Sequence, residues 1–458
     1  MSHPLETLIN EEVKLIFNSM QYIVKYSISC IIHTPLGDVK ALFITDFSLL
    51  RDYVNKFSDV ITVNATFGRG MVNHQIAPSY KQLEATIRLV PLANVPDYVE
   101  LQNAKIQEYR YRAVLYDNSM ELIKSNNESD RVKNISDAED LVPLQFQLIN
   151  PIQDQLRIAT FGGCIRNANA MDAVRAILTR YSRTALIDQQ YAIKGIDVQS
   201  GYTNEVRDHI LIPHLTPIIR LPMVVNKIVG GFYPTGFQYY LQGQHWYIWS
   251  PFNVKAYESS NYSMTVINVP ANKLAQAEKT FRLTSTQLII LCTGQVGFQR
   301  LSDKTESNLS HGVRFVDANN IVESFGEQRD NKLVVNRQKN VNEFIAQSEV
   351  TTNPYPYARE SADRITTNYL TQYSDIAMRK GAFLQFTWEH SLDNVIQPGM
   401  PVRYIYLDTN MPKQVYGTVI AVESTFTQTS DGIVQQRFAN KSIVSLFVDD
   451  SVKKDTML

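Results

Sequence analysis

The apolar positions of this chain come in short runs with a period of about two, set between turn-forming residues, which is the pattern of β-strands. Near the start, Tyr22–His33 and Val39–Ile44 are rich in β-branched and aromatic residues. Pro35-Leu36-Gly37-Asp38 between them has turn chemistry. Val60–Phe67, Leu83–Val90 and Tyr111–Tyr116 extend the series, so a compact β-barrel or sandwich is the natural closure. Residues 117–140 are polar and centred on Asn126-Asn127-Glu128-Ser129-Asp130, which reads as an extended surface loop. Leu144-Gln145-Phe146-Gln147-Leu148 then alternates cleanly, as a strand with one solvent face does.

The period changes at Ala168–Tyr181, where Ala170, Val174, Ile177, Leu178 and Tyr181 make a helical stripe suited to core packing. A second helix is expected over Leu221–Val229, with Thr216 as its cap, Pro217 in its first turn and Gly230-Gly231 as its stop. Phe237–Leu241 and His245–Trp249 flank Gln242-Gly243-Gln244 as an aromatic hairpin. Ser263–Val269 and Gln287–Cys292 are further strands. From Ser302 to Tyr357 the chain turns polar, with Lys332–Val335 as a lone strand and Pro354 and Pro356 marking a linker. Asp363–Arg379 carries one more helical stripe, through Ile365, Tyr369, Tyr373 and Ile376. The last segment is the most regular. Ala382–Trp388, Arg403–Leu407, Gln414–Ser424 and Val434–Val448 make an all-β unit turned at Pro398-Gly399, Asn410-Met411-Pro412 and Ser430-Asp431-Gly432. The expected fold class is α+β, mainly β, with a β-rich unit at each end. The segments are 1–162 with a polar insertion at 117–143, a helical or mixed 163–245, a mixed β-rich 246–359, and 360–458.

Composition narrows the function. A length of 458 residues allows about two to four domains. The 24 Tyr and 20 Phe suit pleated, half-buried surfaces and large contacts. Lys+Arg of 44 against Asp+Glu of 45 leaves a net charge of -1. A protein gripping phosphate backbones would carry a basic excess, whereas near-neutrality suits a subunit that assembles. Cys30, Cys164 and Cys292 are far apart and odd in number, which fits reduced, mostly buried thiols. Met1–Glu6 lacks the features of a signal peptide, and no apolar window reaches the ~18 residues of a membrane span. A soluble protein made inside a cell is expected.

No phosphate-binding loop, nucleophile elbow or zinc-protease helix occurs, and Pro234 spoils any dinucleotide fingerprint at Gly230–Gly236. Among the histidines, His209 and His214 are the nearest pair; a metal site would need Asp208 or Glu205 as a third ligand, against ordinary loop histidines. Glu389-His390 beside Trp388 invites a catalytic reading, against a structural histidine at a strand end. Glu139-Asp140 sit in the polar loop, where solvated charge is the default. Tyr239, Tyr240, Trp246, Tyr247 and Trp249, like Tyr355 and Tyr357, could stack on bases. From Tyr233 to Pro251 there is no Lys or Arg, so that first group is expected in a core or interface. The expectation is a protein that is not an enzyme, with no catalytic, cofactor-binding or metal residues and no cofactor.

Ile210–Pro217, the helix after it, Gly236–Leu241 and Trp246–Trp249 resemble a run in the baseplate hub proteins of contractile-tailed bacteriophages. There a Pro-x-x-Thr/Ser-Pro step opens a helix that an aromatic hairpin follows. Ile396–Val402 resembles the x-P-G-x-x-V step that leads into a hub strand, and Val415–Phe426 and Gln435–Phe447 resemble the closing barrel. The N-terminal β-unit is compatible but carries no diagnostic motif, and the polar region 302–357 departs from the family pattern. The resemblance implies two tube-like β-barrel domains, about 1–115 with 144–162 and 360–450, plus smaller helical and mixed middle domains. It implies a homotrimeric ring whose paired units match the six-fold tail tube protein above and the trimeric central spike protein below, with baseplate wedge proteins beside it. DNA would cross the lumen without specific binding, and the protein would reside in the virion tail. Other readings are a different tail or neck protein, a cell-wall hydrolase with two carboxylates in a cleft, and a carbohydrate-binding module using an exposed Trp cluster.

Overall fold

The computed structural model describes residues 4–18, 24–93, 107–116, 141–184, 192–233, 235–269, 280–293, 297–300, 313–315, 326–329, 332–335, 344–346, 381–408, 411–429 and 436–449. The expected loop at 117–140, the helix at 363–379, the Tyr355–Tyr357 pair and the turn at 430–432 lie outside them.

Alternation builds the first core. The strands are β1 (Val24–Thr34), β2 (Gly37–Lys40), β3 (Phe43–Asp52), β4 (Val60–Gly68), β5 (Glu84–Ala93), β6 (Gln107–Leu115) and β7 (Leu141–Ile149). In β7, Val142, Leu144, Phe146 and Leu148 all face inward. Thr34 pairs with Gly37, and Gly37 holds a φ of 137° that an L side chain rarely adopts, which closes the tight β1–β2 turn.

A helical middle follows, comprising α2 (Pro151–Ile158), β8 (Thr160–Asn169), α3 (Ala170–Thr184), β9 (Gly195–Val198), β10 (Val206–Pro217), α4 (Leu221–Ile228), β11 (Gln238–Gln242) and β12 (His245–Trp249). Asn150 caps α2 by accepting from Ile152 N–H. These elements share a core that includes Leu156, Val174, Leu178, Ile210, Val225, Tyr239 and Trp246.

The remainder is β13 (Ser263–Val269), β14 (Phe281–Leu283), β15 (Gln287–Thr293), β16 (Gly297–Arg300), β17 (Val313–Phe315), β18 (Gly326–Arg329), β19 (Lys332–Val335), β20 (Phe344–Ala346), β21 (Gly381–Glu389), β22 (Pro401–Asp408), β23 (Met411–Gln428) and β24 (Phe438–Asp449). The expected strand at 332–335 is β19, paired with β18.

Pairing joins both ends of the chain. The order β3-β4-β7-β6-β5-β1 returns to β3 through β24 and β23, so eight strands form a closed circuit of hydrogen-bonded neighbours. All eight feed one core, from Ile28 and Phe47 to Phe426 and Phe438. A second core draws on β13, β15, β21, β22, β23 and β24, through residues such as Val266, Ile290, Trp388, Val402, Val419 and Leu446. The two long strands serve both: Met411–Thr418 pairs with β22 and Ala421–Phe426 with β3, while Phe438 and Ala439 pair with β1 and Lys441–Asp449 with β21.

Two local expectations need correction. The first ninety residues are not strands alone: α1 (Pro4–Asn18) lays Ile16 on Ile267, Ile289, Leu291 and Ile405, and helical turns span Arg69–Met71 and Val72–Ile76. Thr216 does not cap α4. Strand β10 runs on to Pro217, where it pairs with β8, a 3-10 turn at Ile218–Arg220 intervenes, and the Thr216 hydroxyl donates to Pro213 C=O at 2.7 Å.

Candidate functional site

The densest chemistry lies where the two β cores meet. Along β3 the inward row reads Phe47, Leu49, Arg51, so strand geometry carries a guanidinium into the interior. Arg51 donates through Nη1 to Asp393 Oδ1 at 2.7 Å and through Nε to Asp59 Oδ2 at 3.4 Å. Tyr240 of β11 donates its hydroxyl to Asp59 Oδ1 at 2.9 Å, and Tyr109 of β6 reaches Asp393 Oδ2 at 3.5 Å. The backbone N–H of Asp393 donates to the Tyr26 hydroxyl at 2.9 Å, and that hydroxyl donates to Ser391 C=O at 3.4 Å. Ser391 continues the network to the facing hydroxyls of Ser442 and Ser424. On the other flank, Tyr53 donates to Gln242, whose amide donates to Ile396 C=O at 2.9 Å. This polar seam ties β1, β3, β6, the β11–β12 hairpin and the 389–400 loop together.

Its electrostatics are lopsided, with one guanidinium facing two carboxylates. Arg51, Asp59 and Asp393 are each 5% exposed or less. Burial raises the Asp59 carboxyl above the ordinary range, opposed by Arg51 and by the Tyr240 hydrogen bond. Burial likewise pushes the Tyr53, Tyr109 and Tyr240 phenols up, so they stay protonated donors. The thiols of Cys30 and Cys292 are pushed up to about 12 by burial, which fits inert core residues; Cys164 is exposed.

The sequence candidates fall elsewhere. His209 and His214 are exposed on β10, Glu205 pairs with Arg207 at 2.9 Å, and no group of three metal-ligating side chains occurs among the described residues. Glu389 is a surface partner of Lys441 at 2.8 Å, and His390 turns the chain at a φ of 52°. Trp246, Trp249 and Trp388 are all buried, as are Tyr239 and Tyr240. Trp246 donates its indole N–H to Ser182 at 3.0 Å, and the Tyr239 hydroxyl donates to Ile219 C=O at 2.6 Å. The aromatic cluster is therefore core, as its lack of basic residues implied, and offers no platform for a base or a sugar. Glu139 and Asp140 lie outside the described residues. Among described residues, no helix is long and apolar enough to cross a membrane.

Sequence reasoning missed the seam itself. A signal existed at Phe47-Ser48-Leu49-Leu50-Arg51, where alternation puts the arginine on the apolar side, but Asp393 is 342 residues away.

No protein-family model matches the chain, and no curated protein matches it by sequence. Among solved structures it is similar to the tail protein from Neisseria meningitidis MC58, at 10% identity and a TM-score of 0.48 over 93% of this chain and 98% of that one. It is similar to the 43 kDa tail protein of prophage MuSo2 from Shewanella oneidensis, at 9% identity and 0.46 over 91% and 98%. It is also similar to the E. coli c3393 protein, a type VI secretion system component, at 6% identity and 0.40 over 92% and 77%. The structural neighbours of this chain are thus tail and secretion-system proteins.

Proposed function

We propose that the chain is a structural hub subunit of a phage tail baseplate, a homotrimer that joins a hexameric tail tube to a trimeric spike and lets DNA pass. One observation carries this reading: a single chain builds two β-units side by side on the shared β23–β24 ribbon. In this reading the closed eight-strand circuit around the first core serves as one tube-like unit and the strands around the second core as the other. Three such chains present six β-units around one axis and still leave a three-fold face for the spike. A symmetry adaptor needs both units held at a fixed angle, and continuous strands with a buried polar seam supply that rigidity. Wedge proteins would bind the periphery.

The two seam carboxylates, Asp59 and Asp393, are engaged by Arg51 and walled in by tyrosines, which disfavours a hydrolase built on them. Light scattering of the purified full chain tests the assembly. A closed trimer has three times the 52.2 kDa chain mass, about 157 kDa. A monomer that stays monomeric when mixed with tube and spike proteins overturns the reading.

A further inference from the structure

The seam contains a feature that assembly alone does not require: among the described residues, two carboxylates share one guanidinium. Arg51 faces Asp59 and Asp393 together, and its Nη2 has no hydrogen-bond partner within the described structure. The two contacts are unequal, at 2.7 Å to Asp393 and 3.4 Å to Asp59, so Asp393 holds the cation and Asp59 carries the surplus negative charge. Removing a charge of that kind from water is costly unless it is fully paired.

We propose that Arg51, Asp59 and Asp393 form a proton-dependent lock between the two β-units, tighter when Asp59 is neutral. The groups facing Asp59 are Arg51 from β3, Tyr53 just after it, Tyr240 from β11, Asp393 from the 389–400 loop and Tyr111 and Tyr109 from β6. Arg51 is the one cation among them, and the tyrosines stay neutral. A proton on Asp59 leaves a one-to-one Arg51–Asp393 pair. The neutral carboxyl keeps one oxygen for Arg51 Nε and offers its O–H to Tyr240, whose hydroxyl can turn from donor to acceptor.

The direction of the effect follows from linkage. The folded chain holds the Asp59 proton more tightly than the unfolded chain does, because burial lifts its carboxyl. The stabilisation is fully present below the ordinary aspartate range and is lost as pH rises through the raised value. The lock therefore loosens toward neutral and alkaline pH. It works within one chain and does not depend on the hub reading.

Three full-length proteins test it by thermal unfolding over roughly pH 5 to 8, a span that reaches well above the ordinary carboxylate range. Asp59→Asn mimics the protonated carboxyl. Its melting temperature relative to wild type should be highest at the alkaline end and should fall as pH is lowered. Asp393→Asn should do something different in kind. It leaves Asp59 as the sole partner of Arg51, so acid now breaks a pair, and the deficit relative to wild type should grow as pH falls. Amide exchange of Asp393 N–H, which donates to Tyr26, reports locally: its protection should rise on acidification in wild type and stay constant in Asp59→Asn. An Asp59→Asn protein that is less stable than wild type by the same amount at every pH overturns the proposal. So does an Asp393→Asn deficit that does not change with pH, which keeps the test decisive if Asp59→Asn fails to fold.

Discussion

Replacing Arg51 by Met isolates what the seam contributes. Met keeps the aliphatic bulk of the arginine stem but removes the cation, leaving Asp59 and Asp393 in one buried site with no positive partner. Breaking a buried ion pair by deleting one member costs about 3–5 kcal/mol, because the surviving charge stays desolvated. Two surviving carboxylates put Arg51→Met at the upper end. That is a large fraction of the roughly 5–15 kcal/mol that holds a typical domain folded. The loss should be recovered when the charges leave together. In the triple variant Arg51→Met, Asp59→Asn, Asp393→Asn, the amides still accept from Tyr240 and Tyr109, and no buried charge is left without a partner. Urea unfolding followed by tryptophan fluorescence reads this, since Trp249 makes a 6.4 Å edge contact with Tyr53 beside the seam. An Arg51→Met protein within about 1 kcal/mol of wild type, or a triple variant no more stable than the single one, refutes the reasoning.

Gly399→Ala should cost roughly 2–4 kcal/mol, because φ is 68° there and a Cβ would land on the Trp249 ring; a drop in the urea midpoint checks it. Leu215 also sits in the left-handed region, at φ 60°, but is 65% exposed, so Leu215→Gly should raise the melting temperature by relieving about 1 kcal/mol of strain with little packing lost. A fragment of residues 1–162 should fail to fold alone, because it lacks the parts of β23 and β24 that complete the first circuit; supplying 411–449 through a linker should restore its circular dichroism and its resistance to protease.

Strand existence was legible where one face is buried and alternation is clear, as in β7 and β21, and in β13 through a short, β-branched-rich apolar run buried on both faces. The hairpin of β11 and β12 was legible through Gly243, whose φ of 58° the turn requires. Helix α1 was not, although Ile9, Val13 and Ile16 fall at helical spacing, because among its described side chains only Ile16 is fully buried and it lies against a sheet from a distant part of the chain. Strands β8 and β10 escaped notice because both expose most residues on either face, which removes the period-two signal. Thr216-Pro217 has the composition of a helix start, but pairing with Phe161 and Thr160 of β8 outweighs that local preference.

The shared ribbon explains why two cores can be read from one pair of strands, and why its boundary was hard to see. In β23 the inward residues are Val415, Gly417 and Val419, then a bulge between Val419 and Ala421 shifts the parity, and Val422, Ser424 and Phe426 face inward. The extra residue re-phases the alternation, so the inward row runs on from Val419 to Val422, both in the second core, and reaches Phe426 in the first, while the strand bends between them. Strand β24 needs no such shift: Val448, Leu446 and Val444 face the second core, and Phe438 faces the first. Between them its inward row turns polar at Ser442 and Asn440, opposite Ser424 and Phe426 of β23. A continuous apolar row would weld both cores into one and leave no place for Ser391, Asp393 and Arg51. The dip from valine to serine and back to phenylalanine on both strands is therefore the sequence mark of the junction, one that only the pairing of β23 with β24 makes readable.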